Sequence, residues 1–267
     1  MEKHVIWRGI LAGALAGVLA FIWSKIFIEP IVGRAIDFED GSAAAHEAME
    51  AAAAHGHHHE EGAELFTRAV QSTVGMGLGV LAFSVALGAL FAVVFCVVYS
   101  RTDNITARTL SVLVAGAMLI SLWVVPALKY PPNPPATSLD TTIKERALLY
   151  ILLVALSALL MVAAVYLGSQ LAPRFGVWNA TLLAGAAYVV AVAVLMLVLP
   201  TVDETPGPIE DAAGTIVFPG FPAADLYEFR LFALGTQVII WTTIGLAGAA
   251  MLSRLLDTKR TERLTAS

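Results

Sequence analysis

Long runs of apolar residues, separated by shorter polar segments, dominate the chain. A helix needs about 20 such residues to cross the hydrocarbon core of a bilayer, and six runs are long enough. None of them alternates between apolar and polar positions, as a strand of a membrane barrel would. The pattern therefore predicts transmembrane helices at roughly 7–28, 69–99, 109–128, 147–171, 178–199 and 230–252.

The composition supports a membrane protein rather than a soluble one. The chain has 267 residues, of which 58% are hydrophobic and 14% charged, and its mean hydropathy is +0.78. Soluble domains have about 25% charged residues. We therefore expect an all-α polytopic protein in which residues 1–267 form a single membrane domain in the lipid bilayer. The first run reads as a retained helix, because Glu29-Pro30 follows it without a convincing cleavage site.

The distribution of charge predicts the orientation of the chain. If both termini are cytoplasmic, the inner side carries nine basic and four acidic residues, and the other side carries seven basic and seventeen acidic residues. Basic residues accumulate on the cytoplasmic side of membrane proteins. We therefore expect six transmembrane helices with both termini in the cytoplasm of a bacterial cell, and a multi-pass protein of its inner membrane.

The polar segment 30–67 is the strongest chemical signal in the chain. We expect it to be an extracytoplasmic loop without a fixed fold, although 43–54 could form a short helix. Neutral imidazoles are favoured ligands of Co, Ni, Cu and Zn, and carboxylates attract divalent cations. The candidate ligands of this capture loop are His46, His55, His57, His58, His59, Glu60 and Glu61. The tract either captures a metal ion transiently or is simply a solvated loop.

Three acids at predicted helix ends are candidates for the mouth of a cation pathway. Glu29 follows the first predicted helix, and Asp203 and Glu204 follow the fifth. Ionisable groups near the membrane are candidates for function. Each acid also has a structural interpretation: Glu29 as an i,i+4 partner of Lys25, and the other two as ordinary interface residues. Arg230 is interpreted as an interface anchor.

Two other patterns concern geometry. Four prolines within 131–135 predict a stiff segment that either lines a pathway with its carbonyl groups or forms a rigid turn. Gly9, Gly13 and Gly17 recur every four residues and predict a close contact between helices.

The sequence does not suggest an enzyme. It has no Walker lysine motif, no G-x-S-x-G elbow and no HExxH pair. The only cysteine, Cys96, excludes an internal disulfide or a thiolate-rich metal site. We expect no prosthetic group and no nucleic-acid partner.

Several motifs resemble those of the predicted cobalt transporter subunit family usually called CbtA. They run through nearly the whole chain in the right order. They are Glu29-Pro30, Leu128-Lys129-Tyr130-Pro131 with Asn133-Pro134-Pro135, Leu199-Pro200 with Glu204 and Pro206, Phe221-Pro222, Phe229-Arg230-Leu231, Gln237 and Trp241.

The resemblance implies a six-helix membrane subunit that imports Co²⁺ for cobalamin synthesis, together with a small single-helix partner, CbtB, that has a histidine-bearing end. The His-rich loop departs from the shorter connection expected of the family. It either takes over part of the partner's capture role or indicates another metal, such as Ni²⁺. Copper(I) is disfavoured because Cys96 is alone and the methionines form no cluster. The alternative from another class is a membrane scaffold or metal sensor that assembles a partner without transporting metal.

Overall fold

The computed structural model describes residues 2–52, 70–102, 105–135, 137 and 142–265. These residues are mostly helical, with one small β-hairpin. The helices are α1 (Glu2–Phe27), α2 (Glu29–Ala52), α3 (Met76–Tyr99), α4 (Ala107–Leu119), α5 (Val125–Lys129), α6 (Ile143–Val198) and α7 (Ala223–Thr265). Two π-helical turns, Gln71–Gly75 and Ile120–Val124, lead into α3 and α5, and strands β1 (Ile209–Glu210) and β2 (Ile216–Phe218) form the hairpin.

Within the described residues, five helices are long and apolar enough to cross a membrane: Glu2–Phe27, Ser72–Tyr99, Ala107–Lys129, Ile143–Val198 and Ala223–Leu256. Backbone polar groups in lipid must be satisfied within the segment, which makes helices the natural form of such runs. The predicted all-α, polytopic architecture is confirmed. The longest of the five contains the fourth and fifth predicted helices together.

Helices α1, α3, α4 and α7 pack into a four-helix bundle around a common apolar core. Phe91, Phe95, Trp241 and Ile244 are among its buried side chains. We call the end of this bundle where α1 stops and α7 begins the loop end, and the opposite end the terminus end.

The contact between α1 and α3 depends on glycine. A Cβ atom at Gly13 would overlap the backbone oxygen of Ser84, and one at Gly9 would lie 2.6 Å from the Cβ of Ala92. Gly88 on α3 faces the same contact from the other side. The predicted small-residue face is therefore confirmed, and it allows the two backbones to approach closely.

Helix α6 is two helices that fold back on each other. Gly176 interrupts it with φ 76°, a value that glycine tolerates and other residues rarely adopt. The hydroxyl groups of Ser157 and Tyr188 lie 2.8 Å apart, although the residues are separated by 31 positions. A straight helix would place them about 46 Å apart. We call the two halves of α6 the helical hairpin.

The helical hairpin contacts the four-helix bundle mainly at the loop end. Its extensive helix contacts within the described residues are with the π-helical turn Ile120–Val124 and with α5. A second apolar core forms there, around Val125, Tyr130, Leu153 and Tyr188. Near the terminus end the hairpin is exposed, as Trp178 illustrates with 75% exposure. It therefore resembles an arm that is attached at one end.

The prediction that 30–67 has no fixed fold is wrong for the first part of this segment, because residues 29–52 form α2. Helices α1 and α2 are separated only by Ile28. Pro30 lies in the first turn of α2, where no backbone N–H is required. The β-hairpin was not predicted. It covers α2 through contacts of Phe38 with Phe218 and Phe221, at ring-centroid distances of 5.3 and 5.1 Å. The loop end thus carries a small folded cap.

Candidate functional site

Three sequence-remote segments meet at the loop end and bury polar groups together. They are the proline-rich segment after α5, the two ends of the helical hairpin, and the first turns of α7. We call this set the polar cluster; it comprises Tyr130, Pro131, Pro132, Asn133, Thr142, Arg146, Pro200, Glu204 and Arg230.

A buried ion pair joins the first turn of the helical hairpin to the segment that follows its end. The guanidinium of Arg146 pairs with Glu204, whose side chain is only 2% exposed, and it also donates to the backbone oxygen of Pro131. The hydroxyl of Thr142 donates to the other carboxylate oxygen of Glu204 at 3.3 Å. The charge of Glu204 is therefore balanced inside the protein, and the proline-rich segment is fixed to the hairpin.

Arg230 links the four-helix bundle to the same proline-rich segment. Its Nη2 donates to Oδ1 of Asn133 at 2.9 Å, and its Nε donates to the backbone oxygen of Pro132 at 3.4 Å. In the described part of the chain, no carboxylate lies within ion-pairing distance of this guanidinium. The structural role predicted for Arg230 agrees with these contacts.

Tyr130 closes the cluster from the side of the second apolar core. The side chain is 1% exposed, and its hydroxyl donates to the backbone oxygen of Pro200 at 2.8 Å. Burial raises the pKa of the phenol, and the nearby Glu145 carboxylate raises it further. The hydroxyl therefore remains protonated and keeps its role as a donor.

A small pocket of about 70 Å³ lies among these groups, with Asp203 and Glu204 in its wall beside both arginines. A divalent ion about 5 Å from one guanidinium would be repelled by about 7 kcal/mol at an effective dielectric constant of about 20. Glu204 offsets one guanidinium, and the exposed Asp203 offsets the other only in part. The two carboxylates in the wall of the pocket are therefore opposed by two guanidinium groups, and the formal charge of the wall is zero.

The structure brings only some of the predicted mouth residues together. Asp203 and Glu204 share the pocket, whereas Glu29 is half-buried at the start of α2 and does not line it. A side-chain oxygen of Asp203 accepts the backbone N–H of Thr205 at 3.1 Å. Lys25, the predicted partner of Glu29, donates from Nζ to both the backbone oxygen and the hydroxyl of Ser72.

The capture loop is described only in part. His46 is exposed on α2. His55, His57, His58, His59, Glu60 and Glu61 lie outside the described residues. Among the residues that are described, no group of three or more His, Cys, Asp and Glu side chains is arranged to hold a metal ion.

Sequence reasoning missed Arg146 and Thr142 as members of the site. Arg146 directly precedes the predicted helix at 147–171, and the sequence pattern gave it no functional role. A cation at the edge of a membrane segment, with an acid at the end of the next segment, is a signal for an ion pair. The signal was available, but the two residues are 58 positions apart, and only the reversal at Gly176 shows that they meet.

Nearly the whole chain matches a known protein family. The family model described as "Probable cobalt transporter subunit (CbtA)" matches residues 2–253. No curated protein and no solved structure matches the chain. Some of the motifs that carry the family resemblance, those around Tyr130, Glu204 and Arg230, meet in the polar cluster. The chain therefore belongs to the CbtA family of probable cobalt transporter subunits.

Proposed function

We propose that this protein is the membrane subunit of a cobalt uptake system and that it supplies cobalt for cobalamin synthesis. The family match over residues 2–253 is the observation that carries the proposal. Five apolar helices agree with a multi-pass membrane protein. The family description is that of a transporter subunit, which supports a non-enzymatic function. Ni²⁺ is the other ion that the histidine content would suit.

The proposed topology has six membrane crossings and both termini in the cytoplasm of a bacterial cell, in its inner membrane. The fold supports six crossings because the helical hairpin doubles back at Gly176 and each half is long enough to span. The loop end, with α2 and the β-hairpin, would then face outward. The excess of basic residues on the opposite side supports this orientation.

In this proposal, metal is gathered before it reaches the helices. His46 and the tract from His55 to Glu61 would capture Co²⁺ outside the membrane, and Glu29 and Asp203 would supply the next oxygen ligands. Glu204 could join them only after its ion pair with Arg146 opens. A partner subunit is implied by the family description, and we propose a small single-helix protein of the CbtB type.

A second candidate function is a membrane scaffold or metal sensor that assembles the partner without transporting metal. One observation favours it: the described residues contain no group of three or more His, Cys, Asp and Glu side chains arranged to hold a metal ion, and the charge of Glu204 is already balanced by Arg146. Uptake of radiolabelled cobalt separates the two. A strain that lacks its own cobalt transporter should accumulate cobalt when this protein is expressed together with the partner. The same accumulation with the partner alone, in the absence of this protein, would support the scaffold.

The capture loop makes a separate kinetic prediction. Replacing His55, His57, His58 and His59 by Ala should raise the apparent half-saturation concentration for cobalt more than it lowers maximal uptake. Flexible imidazoles concentrate an ion but do not set the barrier to its passage. Protonated imidazoles do not bind metal, so the benefit of the tract should fade as external pH falls through about 6.5. Unchanged uptake at the lowest usable cobalt concentration would leave only a solvated loop.

A further inference from the structure

The helical hairpin is attached to the rest of the protein at one end. It contacts the rest of the protein at the loop end, through Ile120–Val124 and α5, and its described residues near the terminus end pack mainly on each other. Gly168, for example, faces Ala184 of the other half, where an added Cβ would lie 3.3 Å from the Cβ of Ala184. In the part of the chain that the structure describes, the hairpin therefore makes its main contacts with the four-helix bundle at the loop end.

The attachment contains an irregular stretch of helix. Residues Ile120–Val124 form a π-helical turn, and Pro126 follows in the first turn of α5. Proline removes the donor that would satisfy a carbonyl one turn earlier, and π-helical turns mark sites where a helix bends. A change of angle in this stretch would move the whole hairpin relative to the bundle.

The proline-rich segment is hydrogen-bonded to both ends of the hairpin, because Arg146 donates to the backbone oxygen of Pro131 and Tyr130 donates to that of Pro200. Among the described residues, its polar connection to the bundle is Arg230, which donates to the backbone oxygen of Pro132 and to Oδ1 of Asn133. Both acceptors are neutral oxygens. No opposite charge therefore holds the guanidinium in place, and water can replace either oxygen as its acceptor. The connection has the properties of a reversible latch.

We propose that the helical hairpin and the proline-rich segment form one moving arm, which pivots at Ile120–Pro126, and that the Arg230 latch closes the loop end during transport. The present structure is the latched state, with the loop end closed and the hairpin and bundle apart at the terminus end. Release of the latch would open the loop end toward incoming ions. The inference rests on the proposed transport function and adds a gate to it.

A reversible cross-link tests the gate without removing any latch group. Pro132→Cys keeps the backbone oxygen that accepts from Arg230, and Tyr227→Cys lies one turn before Arg230 on an exposed position of α7. The pair is made with Cys96 replaced by Ala and joined with a short bifunctional thiol reagent that reduction cleaves. Cobalt uptake should fall at least tenfold on cross-linking and return after reduction.

The matched control joins two points of the body that is not expected to move. Arg34→Cys and Asp225→Cys replace an ion pair between α2 and α7, where the charged atoms lie 2.8 Å apart. Cross-linking this pair should leave uptake unchanged. Failure of Pro132→Cys and Tyr227→Cys to cross-link would contradict the latched geometry. Normal uptake by the cross-linked protein would overturn the gate but uphold the transporter. Absence of uptake in every form, including the unaltered protein, would overturn both.

Discussion

In the polar cluster, Arg146 forms a buried ion pair. Its guanidinium is mostly buried and faces Glu204, which is almost completely buried. Removing one partner of a buried pair leaves the other charge without compensation, and this costs more than removing both partners. The stability of the loop end therefore depends on the two residues together.

We expect Arg146→Met to lower the free energy of unfolding by about 3–5 kcal/mol. The double variant Arg146→Met, Glu204→Leu should recover most of the loss, because no buried charge remains. Arg34→Met is the control: the Arg34 side chain is 43% exposed, so its ion pairs with Asp225 and Glu228 should contribute less than about 1 kcal/mol. Unfolding of the purified protein in mixed micelles measures all three. A loss for Arg146→Met no larger than that for Arg34→Met would contradict the argument.

Tyr130 should make the free energy of unfolding depend on pH in the alkaline range. Its pKa is raised in the folded protein, so the folded state favours the protonated phenol. This contribution is complete below the unfolded pKa of about 10 and is lost as pH rises through the higher folded pKa. The difference in stability between the unaltered protein and Tyr130→Phe should therefore be constant at neutral pH and shrink above about pH 10. A difference that grows there would show that the sign is wrong.

At the scale of elements, the close contact between α1 and α3 should tolerate no added methyl group at its centre. Gly13→Ala places a Cβ against the backbone oxygen of Ser84, so the two helices must separate and lose packing. Gly79→Ala, on α3, meets no atom within 4 Å and gains helix propensity. We expect a clear loss of thermal stability for the first variant and none for the second. Equal melting temperatures would show that the contact is loose.

The elements in lipid were predictable, and those at the loop end were not. Lipid requires about 20 apolar residues in a helix, and this constraint acts on each segment separately. The small-residue face of α1 was also predictable, because its glycines recur every four residues within a single segment. Helix α2 and the β-hairpin gain stability from each other through Phe38 and Phe218, and such mutual packing leaves no periodic trace in either segment.

For the whole molecule, the orientation proposed from charge can be measured directly. Single cysteines at Ala44 and Thr215 lie on exposed positions of α2 and the β-hairpin turn, and a third at Asn179 lies near the reversal of the helical hairpin. With Cys96 replaced, an impermeant thiol reagent should label the first two in intact cells and Asn179→Cys only after lysis. The opposite pattern would place the loop end in the cytoplasm.

The meeting of Arg146 and Glu204 also makes the helical hairpin a module in the evolutionary sense. Arg146 in its first turn is tied to Glu204 in the segment that follows its last turn, so the hairpin leaves and rejoins the chain at nearly one point. Natural variation in the length or composition of the hairpin would then disturb the four-helix bundle little, provided that its two ends still meet. Substitutions in its lipid-facing stretch should be neutral far more often than substitutions at its base.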